Sequence, residues 1–316
     1  MDEHTHISLA EIQARPLPPG FDTISGPLPY TLLNDLLFRY VFEANQEALK
    51  ALLCSLLHLE ESDISELVIM NPIRLGETPE EKFYIFDLYL LLNSQKKIHL
   101  ELQVLRQDFW VERSLCYLCR DFGELNPGES YQQVKPLIQI DIIDFDLYEM
   151  SREFYSTYHL ANDKTGRIYS DKLTLHVLDL NKGEYATEED KTYRIDHWAK
   201  LFKSTTWEEL RMLAQEQKVL QSTVETMYRV NADEYTRALI AAREDQLRQE
   251  ISTQYAHKQQ LEALNKTIGE LGLQLADKDQ QLADKDHQLA DKDQQLVSKD
   301  AEIARLKALL NMRKSL

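Results

Sequence analysis

Apolar positions recur at helical spacing from Tyr30 to Leu59, with an interruption around Glu43 to Gln46, and predict helix on both sides of that break. The period then changes. Phe83 to Leu92 is apolar or aromatic apart from Asp87, while Lys97 to Leu105 alternates. Ile98, Leu100, Leu102 and Val104 fall on one face, and His99, Glu101 and Gln103 on the other. The polar link Asn93-Ser94-Gln95-Lys96 is short enough to close a β-hairpin. A helix is expected from about Asp108 to Leu125, stopped by the turn signal Asn126-Pro127-Gly128. Leu137 to Phe145 reads as a strand packed on both faces, and Glu153 to Leu160 and Lys172 to Leu180 as two more. From about Glu188 the pattern is helical again, with stripes at Ile195, Trp198, Ala199 and Phe202 and then at Trp207, Leu210, Met212 and Leu213. Strands with helices before, between and after them describe an α/β mixed sheet with helical cover.

Four segments follow from this pattern. Residues 1–27, with Pro16, Pro18, Pro19, Gly20, Gly26 and Pro27, read as a flexible leader, residues 28–187 as the core, 188–235 as a helical extension, and 236–316 as a long helix. In the last segment Leu-Ala-Asp-Lys-Asp recurs from Leu275, Leu282 and Leu289, and the seven-residue spacing extends from Leu261 and Ile268 to Ile303 and Leu310. With these as a positions, Leu264, Leu271 and Leu306 fall at d, as a coiled coil requires. Lys278, Lys285, Lys292 and Lys299 occupy the middle d positions and weaken that seam. A homo-oligomer, a parallel dimer or trimer through the tail, is the expectation. The competing reading is a single solvated helix supported by local Lys–Asp contacts.

At 316 residues, 43% of them hydrophobic, the chain is large enough for a substantial core. The acidic N-terminal sequence has no apolar signal region, and no apolar run approaches 18 residues, so no membrane span is expected. Three cysteines suit a reducing cytoplasm better than a disulfide framework. Cys116 and Cys119 form a C-x-x-C with no second pair, and are read as two half-buried helix positions, not a zinc site.

Charge complicates any nucleic-acid reading. The net charge is −17, and since residues 244–316 carry 13 acids and 11 bases, about −15 lies in the first 243 residues. Basic side chains nevertheless cluster near the hairpin: Lys96, Lys97, Arg106, Arg113 and Arg120. Arg113 and Arg120 are two helical turns apart and share a face, which either tracks a phosphate backbone or is a solvated helix surface. The acidity predicts weak, salt-sensitive or partner-assisted binding to DNA.

Candidate chemistry centres on the hairpin. If Asn93 to Gln95 form the loop, Leu92 pairs with Lys96 and Asp87 lies opposite Glu101; a slip of one residue at each end places it opposite Gln103. Either register gathers Asp87, Glu101 and Gln103 on one patch of one sheet face. Two converging carboxylates suit a hard divalent cation such as Mg²⁺. The bland readings are a wet strand face for Glu101 and an ion pair with Arg113 or Lys97 for Asp87. An unpaired carboxylate inside an apolar strand costs several kcal/mol, so it calls for a cation, a donor cluster or a function.

Several motifs in order resemble the Rpn family of recombination-promoting nucleases and transposases, within the PD-(D/E)XK superfamily, over about residues 30–240. Asn34-Asp35-Leu36-Leu37-Phe38-Arg39-Tyr40-Val41-Phe42 resembles its opening helix, and Asp87 followed by Glu101-Leu102-Gln103 its D…E-x-Q core. Arg113 to Tyr117, Gly128-Glu129-Ser130-Tyr131 and Lys135 to Ile140 follow in the family order. The resemblance implies a restriction-endonuclease-like fold and hydrolysis of DNA phosphodiesters with Mg²⁺ or Mn²⁺. Asp87 and Glu101 would be the metal ligands, and Gln103 would stand where the wider superfamily has lysine; from their clustering near the hairpin, Lys97, Arg106, Arg113 and Arg120 are the candidate DNA contacts. Asp35 is a further catalytic candidate, because helices preceding such cores often add a carboxylate. It also fits an ordinary exposed aspartate. The rival readings are an inactive nuclease-fold interaction protein and a DNA-binding accessory factor that oligomerises through its tail.

Overall fold

The structure is a computed structural model that describes residues 9–71, 73–74, 84–85, 87–123, 125 and 128–314. Phe83, Phe86 and the Asn126-Pro127 turn signal lie outside them. In chain order the elements begin with helices α1 (Leu9–Ala14), α2 (Asp35–Ala44) and α3 (Gln46–Leu57). Strands β1 (Leu67–Met70), β2 (Ile73–Arg74), β3 (Tyr84–Ile85), β4 (Leu88–Leu92) and β5 (Lys96–Gln103) follow, then helix α4 (Trp110–Phe122). Strands β6 (Leu137–Ile143), β7 (Tyr155–His159) and β8 (Leu173–Asp179) lead into α5 (Glu188–Thr192), α6 (Ile195–Lys203), α7 (Trp207–Ala214), α8 (Lys218–Ala232) and α9 (Glu234–Lys314).

Six strands form one mixed sheet in the order β1-β4-β5-β6-β8-β7. The β5, β6 and β8 strands run parallel, and β1, β4 and β7 pair antiparallel with their neighbours. Successive residues face opposite sides of a strand. One side of the central strands is therefore apolar, with Ile98, Leu100, Leu102, Ile140, Ile142 and Leu178 joining helix residues such as Phe38, Phe42, Leu52, Trp198 and Phe202 in the main core. The side toward α4 carries His99, Glu101, Gln139 and Asp141, all buried, and only a small apolar cluster of Trp110, Ile143, Phe145 and Val177. Glu101 and His99 are thus not a wet strand face; α4 covers them.

The break between α2 and α3 has a clear cause. Asn45 caps α3 by accepting a hydrogen bond from the Ala48 N–H, while its side-chain amide donates to Ser222 and Thr226 of α8. The sheet and these helices fall in one compact unit ending at Arg243, so the expected helical extension is part of the core, not an appendage. Residues 9–27 also depart from expectation. Instead of a flexible leader, they pack: Ile12 is 3% exposed, Phe21 meets Tyr228 edge to face, and the Tyr228 hydroxyl donates to the Pro19 carbonyl. Residues 19–23 form a turn closed by the Ile24 N–H on the Gly20 carbonyl.

Residues 244–316 form the second unit. The heptad leucines and isoleucines from Leu261 to Leu306 are 47–63% exposed there. Among the described residues, no helix is long and apolar enough to cross a membrane.

Candidate functional site

The hairpin turn decides where the acids meet. Asn93 and Ser94 both adopt positive φ (50° and 57°), the left-handed region that tight hairpin turns use. The Asn93 side chain then locks the turn to the preceding segment, accepting from the Ser65 and Glu66 N–H groups and donating to the Asp63 carbonyl at 2.7 Å. Leu92 pairs with Lys96 and Leu88 with Leu100. One step further along this register, Asp87 lies across from Glu101, the first of the two registers expected. Asp87 does not sit inside a strand. It occupies a bend immediately before β4.

Backbone groups hold the two carboxylates reciprocally. The Leu102 N–H donates to Asp87 Oδ2 at 2.7 Å, and the Asp87 N–H donates to the Glu101 carboxyl. Glu101 is 4% exposed, and among the described residues its Oε1 has no hydrogen-bond partner. A third carboxylate stands beside it. Asp141 on β6 is the register partner of Glu101, is buried, and accepts from Ser114 Oγ at 2.6 Å and from Gln139 Nε2 at 2.9 Å.

Burial raises the affinity of all three for protons. It pushes Asp87 up to about 7, against the Leu102 N–H, which favours the anion; the Asp35 charge raises it further, and Arg113 and Arg39 lower it. Glu101 is raised well above the ordinary carboxylate range by burial, then by the charges of Asp87 and Asp141. Asp141 is pushed up to about 6 by burial, opposed by Ser114, Gln139 and Arg113. Opposed carboxylates that resist ionisation are what a bound cation would relieve, and Glu101 Oε1 is an unsatisfied oxygen suited to one. Among the described residues, no three His, Cys, Asp or Glu side chains are grouped closely enough to hold a metal ion by themselves. A site here would therefore combine two carboxylates with backbone oxygen and water.

The remaining expected residues divide. Asp35 begins α2; its Oδ1 accepts from the Leu36 N–H and its Oδ2 lies 3.2 Å from Arg243 Nε, yet its charge acts on Asp87. Gln103 ends β5 with its amide donating to the Leu105 carbonyl at 2.6 Å. Lys97 departs from its expected place on a DNA-facing surface. Its ammonium lies 3.2 Å from Asp121 Oδ1 and also reaches the Asp121 carbonyl, so its charge is spent on an internal partner. Asp121 also takes His99 Nε2 at 3.0 Å; burial alone would raise it, but His99 and Lys97 hold it well below the usual range. Arg113 and Arg120 lie two turns apart on α4, both half-buried, and Arg106 reaches Glu149 at 3.8 Å. Cys116 and Cys119 are exposed, not half-buried as expected, because α4 turns Ser114 and Leu118 to the sheet instead.

Asp141, Gln139 and Ser114 join the site without having been expected from the sequence. Gln139 and Asp141 were legible as polar residues two apart in an otherwise apolar strand, the same signal that singled out Asp87. No curated protein and no solved structure matches the chain. The model of a family described as PD-(D/E)XK nuclease family transposase matches residues 32–256. That span holds the whole sheet, the three carboxylates and α4, and the mixed sheet with flanking helices agrees with a restriction-endonuclease-like fold. The chain belongs to the PD-(D/E)XK nuclease family transposases.

Proposed function

We propose that this protein is a metal-dependent DNA endonuclease whose centre is Asp87 and Glu101. The observation that carries this reading is the reciprocal pairing of two carboxylates at the mouth of the hairpin, with one buried oxygen that has no donor among the described residues. A fold that needed only stability would not keep such a pair, since ionising two carboxyl groups buried side by side costs several kcal/mol. Asp87 and Glu101 would hold Mg²⁺ or Mn²⁺, with the backbone carbonyl next to Gln103 as a further ligand. Bound there, the cation would polarise the scissile phosphodiester and lower the pKa of the attacking water.

The chain's own groups do the rest. The Leu102 N–H fixes the Asp87 carboxylate, so its orientation is set before any ligand arrives. Protons that burial keeps on these acids must leave as the cation enters, which makes binding pH-dependent. Gln103 carries no charge and is no general base. Its amide nitrogen is held by the Leu105 carbonyl, and its side-chain oxygen can orient the water. Asp35 contributes through its field on Asp87, with Arg243 holding its carboxylate. Arg106, Arg113 and Arg120 supply phosphate contacts beside an otherwise acidic surface. The tail would join copies through its exposed heptad positions, and a paired enzyme can cut both strands where one site cuts one.

Plasmid cleavage by purified protein tests the reading. Activity is expected with Mg²⁺, none with EDTA, and a loss of at least about a hundredfold in Asp87→Asn, since even residues that only support metal ligands cost 10–100-fold. Equal cleavage by the variant would mean that the site is misplaced. An intact plasmid with well-folded wild type would move the accessory-factor reading ahead.

A further inference from the structure

We propose that Arg113 is the cation that grips the scissile phosphate, filling the charge role that Gln103 cannot. This rests on the nuclease reading above and assigns one residue within it. The guanidinium lies 5.5 Å from the Trp110 ring centre and 5.2 Å from that of Tyr117, three residues before and four after it on α4. Its Nη1 donates to Gln107 Oε1 at 3.1 Å. All these partners are neutral. Among the described residues Arg113 makes no ion pair, whereas Arg39 is bonded to Glu43, Lys97 to Asp121 and Arg243 to Asp35.

The position is as telling as the partners. The next residue, Ser114, donates to Asp141, which pairs in register with Glu101, so this turn of α4 rests directly on the acidic centre. The Arg113 charge is felt by Asp87, Glu101 and Asp141 alike. Arginine offers five N–H donors in a rigid fork, and the Gln107 contact uses one. Two aromatic faces fix the plane of that fork without consuming its charge. A guanidinium oriented by neutral groups beside an anionic centre retains charge and donors for a ligand. The ligand that suits them is a phosphodiester oxygen, on which negative charge grows during the reaction.

Two measurements test the assignment together. In single-turnover cleavage of duplex DNA with Mg²⁺, Arg113→Gln is expected to lower the saturating rate about 100–1000-fold. Arg113→Lys, which keeps charge and loses the fork, should recover part of it. Binding of the dinucleotide thymidylyl-thymidine with Ca²⁺ isolates a single phosphodiester and needs no turnover. There Arg113→Gln should weaken affinity at least about tenfold, as losing a charge-assisted hydrogen bond does. Wild-type cleavage with an unchanged saturating rate in Arg113→Gln would overturn the assignment and leave the nuclease reading standing. Equal or absent dinucleotide binding in wild type and variant would likewise overturn it. Dinucleotide binding that depends on Arg113, in a wild type that never cleaves, would uphold the assignment and defeat the nuclease reading instead.

Discussion

A buried acid flanked by other acids keeps its proton to higher pH, and the fold bears the cost once that proton leaves. Asp87, Glu101 and Asp141 all have native proton affinities above their ordinary values. For such groups the native state binds more protons than the unfolded chain between the two pKa values, so stability falls as pH rises through that window. For Asp87 the window runs from about 4 to about 7. Metal-free protein should therefore lose on the order of a few kcal/mol between pH 5 and pH 7.5, and Asp87→Asn should flatten the profile. Added Mg²⁺ should restore stability most at the upper end. Melting temperatures across this range, with EDTA and with Mg²⁺, check it; a profile that rises toward pH 7.5 in EDTA would contradict the arrangement of the three acids.

At the scale of elements, residues 9–27 show how a short segment acquires structure from what it covers. Helix α1 has only six residues, too few to persist alone, yet Ile12 is buried and Arg229 Nε donates to the Arg15 carbonyl. Ile12→Ala is expected to destabilise the protein by about 2–4 kcal/mol, as other core truncations do. A change within about 0.5 kcal/mol in urea unfolding would instead mark a segment that contributes nothing. The hairpin follows the same rule in reverse. Either expected register keeps the strands' alternation, but Asn93, bonded to residues 63–66, selects the pairing that sets Asp87 against Glu101.

At the scale of the whole molecule, the tail's seam of exposed leucine and isoleucine is the feature that a second copy would cover. Light scattering of the full chain should give a multiple of 36.9 kDa, and a chain ending at Arg243 should fall to the mass of one copy. A full-length mass of one chain would leave α9 as a solvated helix with no role in assembly. In such an assembly the lysines at the middle d positions would loosen the contact, since each would place an ammonium in the seam.

Periodicity alone determined most of the elements, because side-chain alternation and helical spacing are local properties of the chain. The strands Leu137–Ile143 and Leu173–Asp179, the hairpin, the α2–α3 break and the heptads were all readable in this way. The short polar link Asn93-Ser94-Gln95-Lys96 limited the hairpin to two registers. Only tertiary structure chose between them, because the lock is a contact from Asn93 to residues almost thirty positions earlier. It also brought Asp141 beside Glu101 through a parallel pairing of strands that are distant in sequence, spent Lys97 on Asp121 and left Arg113 among neutral partners. Sequence states which groups carry charge; which charges remain available depends on neighbours that only the folded chain supplies.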